Sequence, residues 1–297
     1  MIAILHDGIN IDIPFEPILE KFPADSISII NIHTFDFETE FGIHVSPSYL
    51  KLLDRLIPKN RKIGLSSRLS NLLKKLGIAD IKLSDFDLLV SILMSLWLKG
   101  NRPIVEFYRK MTDLLKLPYE ILPLLEATPI LVFELKDETK TNILNLLDKN
   151  LVSDIKNIAY MNLEKTKIVD ETKSVLEESK LILLYQVSPL TIYCLKSIGP
   201  IKKILENFKG SVVYILPNKL EDLDKVILEI LGYETNLHGL IEMAHEQIDA
   251  VIFNEKKRSL LENFDKLKIS IYPMSFNFNT EENINTFVEN ILKIISQ

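Results

Sequence analysis

The sequence predicts an α/β fold: a Rossmann-like, doubly wound, mostly parallel sheet with a helical insertion. Three observations predict it. Short apolar runs alternate with amphipathic stretches of helical period along most of the chain. The runs at residues 1–5 (MIAIL) and 181–185 (LILLY) are apolar without alternation, as strands buried on both faces are. The 297 residues, 47% of them hydrophobic, are enough to bury a full core. Residues 1–297 read as a single domain, with residues 66–118 as a helical subdomain inside it.

Residues 1–5 form the first strand, and His6-Asp7-Gly8-Ile9-Asn10 its loop. Residues 14–22 can be a helix with a proline in its first turn. Residues 26–32 (SISIINI) carry β-branched side chains and form the second strand. In the loop at residues 33–47, Asp36, Glu38 and Glu40 alternate with Phe35, Phe37 and Phe41. That alternation describes either an amphipathic edge strand with a solvated acidic face or a loop turning Asp36 into the crevice beside His6-Asp7-Gly8. Ser46 can cap the next helix, residues 46–56, with Pro47 as its first residue. Residues 62–65 look like a short strand and residues 66–76 a basic helix.

Ser84, with Asp87 three positions on, opens the strongest helix of the chain. Its apolar run, residues 88–98, should be buried, and it stops at Lys99-Gly100. Residues 104–115 form a second helix ending before Pro118. Residues 121–136 return to strands, broken by Pro123 and Pro129. A helix (141–150), a strand (155–161) and a helix (169–179) follow.

Residues 180–206 are where an open α/β sheet would hold a ligand. The strand 181–185 ends in a polar loop through Ser188-Pro189 and Thr191, and the chain restarts at Ser197-Ile198-Gly199-Pro200 as a helix. Strand-to-helix loops of this kind bind ligands in such sheets, and helix-opening N–H groups favour an anion. The same stretch also fits an ordinary connection. Beyond it come a strand (211–216), helices (221–231 and 237–247), a strand (248–253), a helix (256–266), a last strand (267–272) and a closing helix (280–296).

Composition excludes several functions. Net charge is −6 and the pI about 5.5, so nothing draws the chain generally to nucleic acid or an anionic membrane. Cys194 is the one cysteine, which rules out an intramolecular disulfide and a multi-cysteine metal site. No basic segment precedes the first strand, and residues 88–98 are too few to span a bilayer. A cytoplasmic protein is expected. Of the nine glycines the closest pair, Gly232 and Gly239, is seven apart, so the Walker loop and the dinucleotide fingerprint are both absent. His238, Glu242 and His245 share a helix face and read as a solvated polar face or, less simply, as metal ligands. No serine sits in a G-x-S-x-G elbow. Cys194 reads as a buried residue without nucleophilic character. What remains is a crevice of three loops, residues 6–10, 34–47 and 186–199. Their hydroxyls, carboxylates and N–H groups suit a phosphorylated ligand with magnesium.

Several collinear stretches resemble the 2-phospho-L-lactate transferase family, CofD. GIHVSPSYLKLLDRL (residues 42–56) is similar to the family's G-L-x-I-S-P-D-L-D-T segment, and LSDFDLLVSILMSLWLKG (83–100) to its L-G-D-R-D-L-A helix. ILPLLE (121–126) resembles I-L-P-M-T-D. VSPLT followed by SIGPI resembles S-N-P-V-T-S-I-G-P-I with Ile192 to Lys196 inserted. IDAVIFNE (248–255) resembles a late strand with its terminal acid.

The resemblance implies a Rossmann-like fold with a helical insertion. It implies transfer of a phospholactyl-type group from a guanosine diphospho donor to a deazaflavin hydroxyl, with GMP leaving and magnesium assisting, in a homodimer. On it, Asp36 becomes the catalytic or metal-holding carboxylate. Gly8, Ser188, Thr191, Ser197 and Gly199 become the phosphate site, and Ser46 and Asp85 lie on the acceptor side. The departures fall on polar positions. The family's opening S-G-G-T-G is His6-Asp7-Gly8-Ile9-Asn10 here, its paired aspartate is Asp36 beside a phenylalanine, and Ser48, Phe86 and Ser188 replace an aspartate, an arginine and an asparagine. A retained fold with changed or lost activity would give this pattern. The alternative is therefore a non-catalytic homologue that binds a nucleotide-type ligand or has a regulatory role.

Overall fold

In the computed structural model, which describes residues 1–8, 16–39, 42–57, 67–68, 71, 75, 83–127, 129–161, 166–257, 267–276 and 278–295, the expected alternation is present. In the first half, β1 (Ile2–His6), α1 (Glu16–Leu19) and β2 (Ile27–Asn31) precede a hairpin of β3 (Phe37–Glu38) and β4 (His44–Val45). Helices α2 (Pro47–Leu56), α3 (Asp85–Lys99) and α4 (Ile104–Leu115) lead to β5 (Glu120–Pro123). Then come β6 (Ile130–Leu135), β7 (Lys140–Thr141), α5 (Ile143–Asp148), β8 (Ile155–Met161), α6 (Asp170–Glu178) and β9 (Leu181–Tyr185). The second half holds α7 (Pro189–Ser197), α8 (Gly199–Glu206), β10 (Ser211–Ile215), α9 (Asp222–Ile230), α10 (Leu237–Ala244), β11 (Ala250–Asn254), β12 (Ser270–Met274) and α11 (Glu281–Ile295). The strand expected at 62–65, most of the basic helix expected at 66–76 and nearly all of the helix expected at 256–266 lie outside the described residues.

Seven strands pair in parallel in the order β12-β11-β10-β9-β1-β2-β5. Strand order reverses between β1 and β9, the switch point where open α/β sheets leave a crevice. Every residue of β1 and β9 is buried, which explains their unbroken apolar runs. Alternate side chains feed opposite faces. Ile2, Ile4, Leu181 and Leu183 join one core, while Ala3, Leu5, Ile182 and Leu184 join the other.

The strands at 130–135 and 155–161 belong elsewhere. β7, β6 and β8 form a separate antiparallel sheet over a third cluster built on Phe35, Phe133 and Leu190. A tight turn between β6 and β7, with Glu138 at φ 68°, returns the chain at once, so no crossover helix forms there.

Helix α3 begins as expected. The Ser84 hydroxyl accepts from Asp87 N–H at 3.1 Å, and the Asp87 carboxylate accepts from Ser84 N–H at 3.2 Å. Ser84→Ala should lose about 1 kcal/mol, read as a lower urea midpoint with unchanged slope. The expected burial of the whole helix is not found. Leu88, Val90 and Met94 face the core, but Leu89, Leu93 and Leu96 are exposed on the opposite side. An apolar run long enough for four turns turns one face outward whenever the core lies on one side only. Tyr108, Ile104 and Met111 of α4 pack into the same core as the main sheet. Among the described residues, no helix is long and apolar enough to cross a membrane.

Candidate functional site

Three loops meet beyond the C-terminal ends of β1, β2 and β9. The sequence favours an anion at the helix opening after β9, and the protein supplies one from its own chain. One oxygen of the Asp7 carboxylate accepts from Ser188 N–H and from the Thr191 hydroxyl, each at 2.7 Å. Ser188 is also the N-cap of α7, its hydroxyl accepting from Thr191 N–H at 3.2 Å. Thr34, from the loop after β2, reaches the Thr191 hydroxyl at 3.0 Å. Asp7, Thr34, Ser188 and Thr191 are all buried.

The polar loop expected over residues 186–199 is therefore largely helix. Residues 192–196, an insertion relative to the CofD pattern, form the middle of α7. They carry Ser197 to the far end of that helix, about 12 Å along its axis from Pro189. There the Ser197 hydroxyl donates to Tyr193 O at 2.7 Å. Gly199 opens α8 beyond it. Neither residue joins the site. Asp85 does not either. It lies at the start of α3, while the serine of that helix that touches the site loop, Ser95, lies ten residues on, about 15 Å away; its hydroxyl accepts from His44 N–H at 2.7 Å.

Asp36 sits at the centre. Its side chain is wholly buried, not solvated as an edge-strand carboxylate would be. One oxygen lies 2.9 Å from His33 Nδ1 and 3.1 Å from His44 Nε2. The other lies 3.5 Å from the Ser48 hydroxyl. Burial opposes the charge, but attraction and hydrogen bonding from His33, then from His44, hold the carboxyl well below the usual carboxylate range. On His44, burial works against the proton, while the hydrogen bond and charge of Asp36, aided by Glu38, raise its pKa. The Tyr108 hydroxyl accepts from Asn31 Nδ2 at 2.8 Å and lies 3.3 Å from His33 Nε2. Ser46 stands at the N-cap position of α2 but makes no capping hydrogen bond. Its hydroxyl turns instead to Ser48 at 3.5 Å and to Tyr108.

Gly8 closes the floor. Its φ is +74°, and a Cβ there would lie 2.6 Å from the backbone of Ser48. Gly8 N–H donates to His6 Nδ1 at 2.7 Å, and the His6 ring stacks on Tyr185. Burial drives the His6 pKa down to about 4, against the pull of Asp7 and with help from Arg55 and Lys51. Both cations belong to α2. Lys51 itself is held below the ordinary lysine range by burial, with Asp7 opposing and Arg55 adding. His6 favours the neutral form in the fold, so its stabilisation is complete above the unfolded value of 6.5 and is lost as pH falls toward about 4. Over that window it amounts to about 3 kcal/mol. His6→Gln should flatten the fall in unfolding free energy between neutral pH and the low end of that window, relative to the natural chain.

Of the residues named from sequence, the structure brings together Asp36, Gly8, Ser188, Thr191 and Ser46. The sequence places the loops of His6, Asp7 and His44 at the crevice without giving those side chains a role, and it does not point to His33, Tyr108, Lys51 or Arg55. A usable signal existed, since three of the five histidines follow or end the first two strands and their hairpin. Cys194 is buried in α7 with its thiol pushed up to about 12 by burial. Among the described residues no group of three histidine, cysteine, aspartate or glutamate side chains is arranged to hold a metal ion. The His245 ring instead lies 2.6 Å from Glu242 O.

The fold matches a known one. The chain is similar in structure to a UPF0052-family protein from Bacillus halodurans, with a TM-score of 0.67, covering 98% of this chain and 99% of that one at 16% identity. A second crystal structure of the same Bacillus halodurans protein matches with a TM-score of 0.63 at 15% identity, covering 98% of each chain. At this identity the likeness carries the fold. No family profile matches the sequence, and no curated protein does.

Proposed function

We propose that this chain is a divergent CofD-type protein that binds a guanine-nucleotide-type diphosphate at the β1/β9 switch point. Its reaction moves a phospholactyl-type group to a deazaflavin hydroxyl. UPF0052 proteins are CofD-like, and the collinear motifs of the sequence point the same way. The observation that carries the reading is Asp36, a buried carboxylate kept ionised between two imidazoles beside the switch-point loops.

In that reaction the acceptor hydroxyl oxygen bonds to the phospholactyl phosphorus, the bond from that phosphorus to the bridging oxygen breaks, GMP leaves carrying that oxygen, and the hydroxyl proton is released to solvent. Positioning and charge neutralisation dominate such transfers. A carboxyl held so far below neutrality is a weak base. Asp36 therefore serves as the counter-charge that keeps His44 protonated, and His44, at the outer edge of the cluster, faces the developing negative charge. Lys51 and Arg55 supply further positive charge.

Magnesium fits poorly as the side chains stand. One oxygen of Asp36 is already shared by two ring nitrogens, and the Asp7 carboxylate is tied to Ser188 and Thr191. No step is assigned to it. A homodimer is part of the proposal and is checked by light scattering on the eluted protein.

A second reading, a non-catalytic nucleotide-binding or regulatory homologue, is favoured by one observation. The anion position at the start of α7 is filled by Asp7. Thermal unfolding separates the two. A ligand at 100 times its Kd should add about 2.7 kcal/mol. Stabilisation by GDP with magnesium and by the deazaflavin, with GMP released from the full donor, supports the transferase. Stabilisation by GDP alone without GMP release supports the binder. No response to either compound removes both assignments.

A further inference from the structure

A second cavity shares no lining residue with the Asp36 site. It is a groove of about 870 Å³ between α6 and α8, within the range of small-molecule sites. The wall contributed by α8 and the two residues after it is divided lengthwise. Gly199, Lys203 and Asn207 form a polar row spaced by four, and Pro200, Ile204 and Phe208 form an apolar row beside it. Ile168 lies in the groove opposite, next to Lys167. Ile204 and Phe208 are only partly buried over the core beneath.

The charge is distinctive. Four lysines line the groove (Lys167, Lys173, Lys203 and Lys209) against two carboxylates, Asp170 and Glu177, in a chain whose net charge is −6. Lys173 pairs with Glu177 at 3.9 Å. Lys167, Lys203 and Lys209 make no ion pair among the described residues. At the Gly199 end, a Cβ added to Gly199 would meet nothing within 4 Å, so the backbone there is open to approach. Lys203 stands one turn along the same face. The groove is bounded by helices of nine and eight residues, so it is about 12 Å long. That length suits a small molecule rather than a protein partner, which needs about 800 Å² on each side.

We propose that this groove binds a small amphipathic anion. Its phosphate or carboxylate head sits by Gly199, between Lys167 and Lys203, and its nonpolar body lies along Ile168, Ile204 and Phe208. The site is separate from the switch point, and the proposal does not depend on the transferase reading.

Calorimetric titration of the full chain with n-octyl phosphate and with octanoate, both below their micelle concentrations, tests it. At least one should bind, and the tighter of the two identifies the head group. Lys167→Glu with Lys203→Glu, and separately Ile204→Glu, should each weaken binding by about tenfold or more. Inorganic phosphate, lacking the body, should bind at least about tenfold more weakly. Circular dichroism and thermal unfolding confirm that the variants are folded, and their response to GDP should stay that of the natural chain. The proposal is overturned if neither anion binds, if octyltrimethylammonium binds as tightly as the anions, or if the double lysine variant stays within about twofold of the natural chain.

Discussion

Asp36→Ala is expected to destabilise the protein by about 3–5 kcal/mol at neutral pH, the range for removing one partner of a buried ion pair. The carboxylate is wholly buried and stands between His33 and His44 at 2.9 and 3.1 Å. Its loss leaves two imidazoles facing each other across a cavity without a counter-charge. The pH dependence has a definite sign. The folded pKa of Asp36 is depressed, so its contribution is present above the ordinary carboxylate value and fades as acid titrates the folded group. The folded pKa of His44 is raised, so its share is complete below the ordinary imidazole value and fades as pH rises through the raised one. The difference between natural and variant chains should therefore be widest from about pH 4 to 6.5 and narrow on both sides. Urea unfolding across that range measures it. A loss below about 1 kcal/mol would mean that the pair is not desolvated as the geometry implies.

Gly8→Ala should cost a comparable amount, about 3 kcal/mol, for a different reason. A left-handed residue with a side chain loses about 1–2 kcal/mol, and forcing a methyl into packed surroundings adds about 1–3 kcal/mol. Here the atoms in the way are the Cα and carbonyl oxygen of Ser48, 2.6 Å from the added carbon, and backbone cannot swing aside as a side chain can. The matched control is Gly199→Ala, where the added carbon meets nothing within 4 Å and φ is not left-handed. That change should be neutral or stabilising by up to about 1 kcal/mol. Thermal unfolding of both variants reads the contrast. Equal midpoints would show that the β1 loop does not rest on α2.

The elements that follow from local pattern were legible. Apolar runs marked β1 and β9, and Ser84 with Asp87 marked the start of α3. Burial on one face was not legible for α3, because a run of leucines does not say which of them meets the core; Leu89, Leu93 and Leu96 do not. The choice of sheet was hidden for a similar reason. Residues 130–135 and 155–161 have strand chemistry, yet they pair antiparallel with each other away from the seven-stranded sheet.

In the site, Asp36 stood out because acids alternate with phenylalanines around it. Its two imidazole partners did not, although His33 is only three residues away. Ser197 and Gly199 were misplaced because five inserted residues continue α7 instead of looping out, and a helix carries its end away from its start at a fixed rise.

The sequence by itself determined the strand–helix alternation, the Ser84 cap and the missing glycine cradle, since each depends on residues within a few positions of one another. The tertiary structure decided what the carboxylates do. Asp7 meets Ser188 across 181 residues of chain, and Asp36 is closed in by His44 and Ser48, eight and twelve residues on, which the folded hairpin and α2 turn back onto it. Whether a carboxylate remains open to a ligand or is spent on the protein's own N–H groups depends on which distant donors the folded sheet brings within 3 Å, and no local pattern encodes that distance.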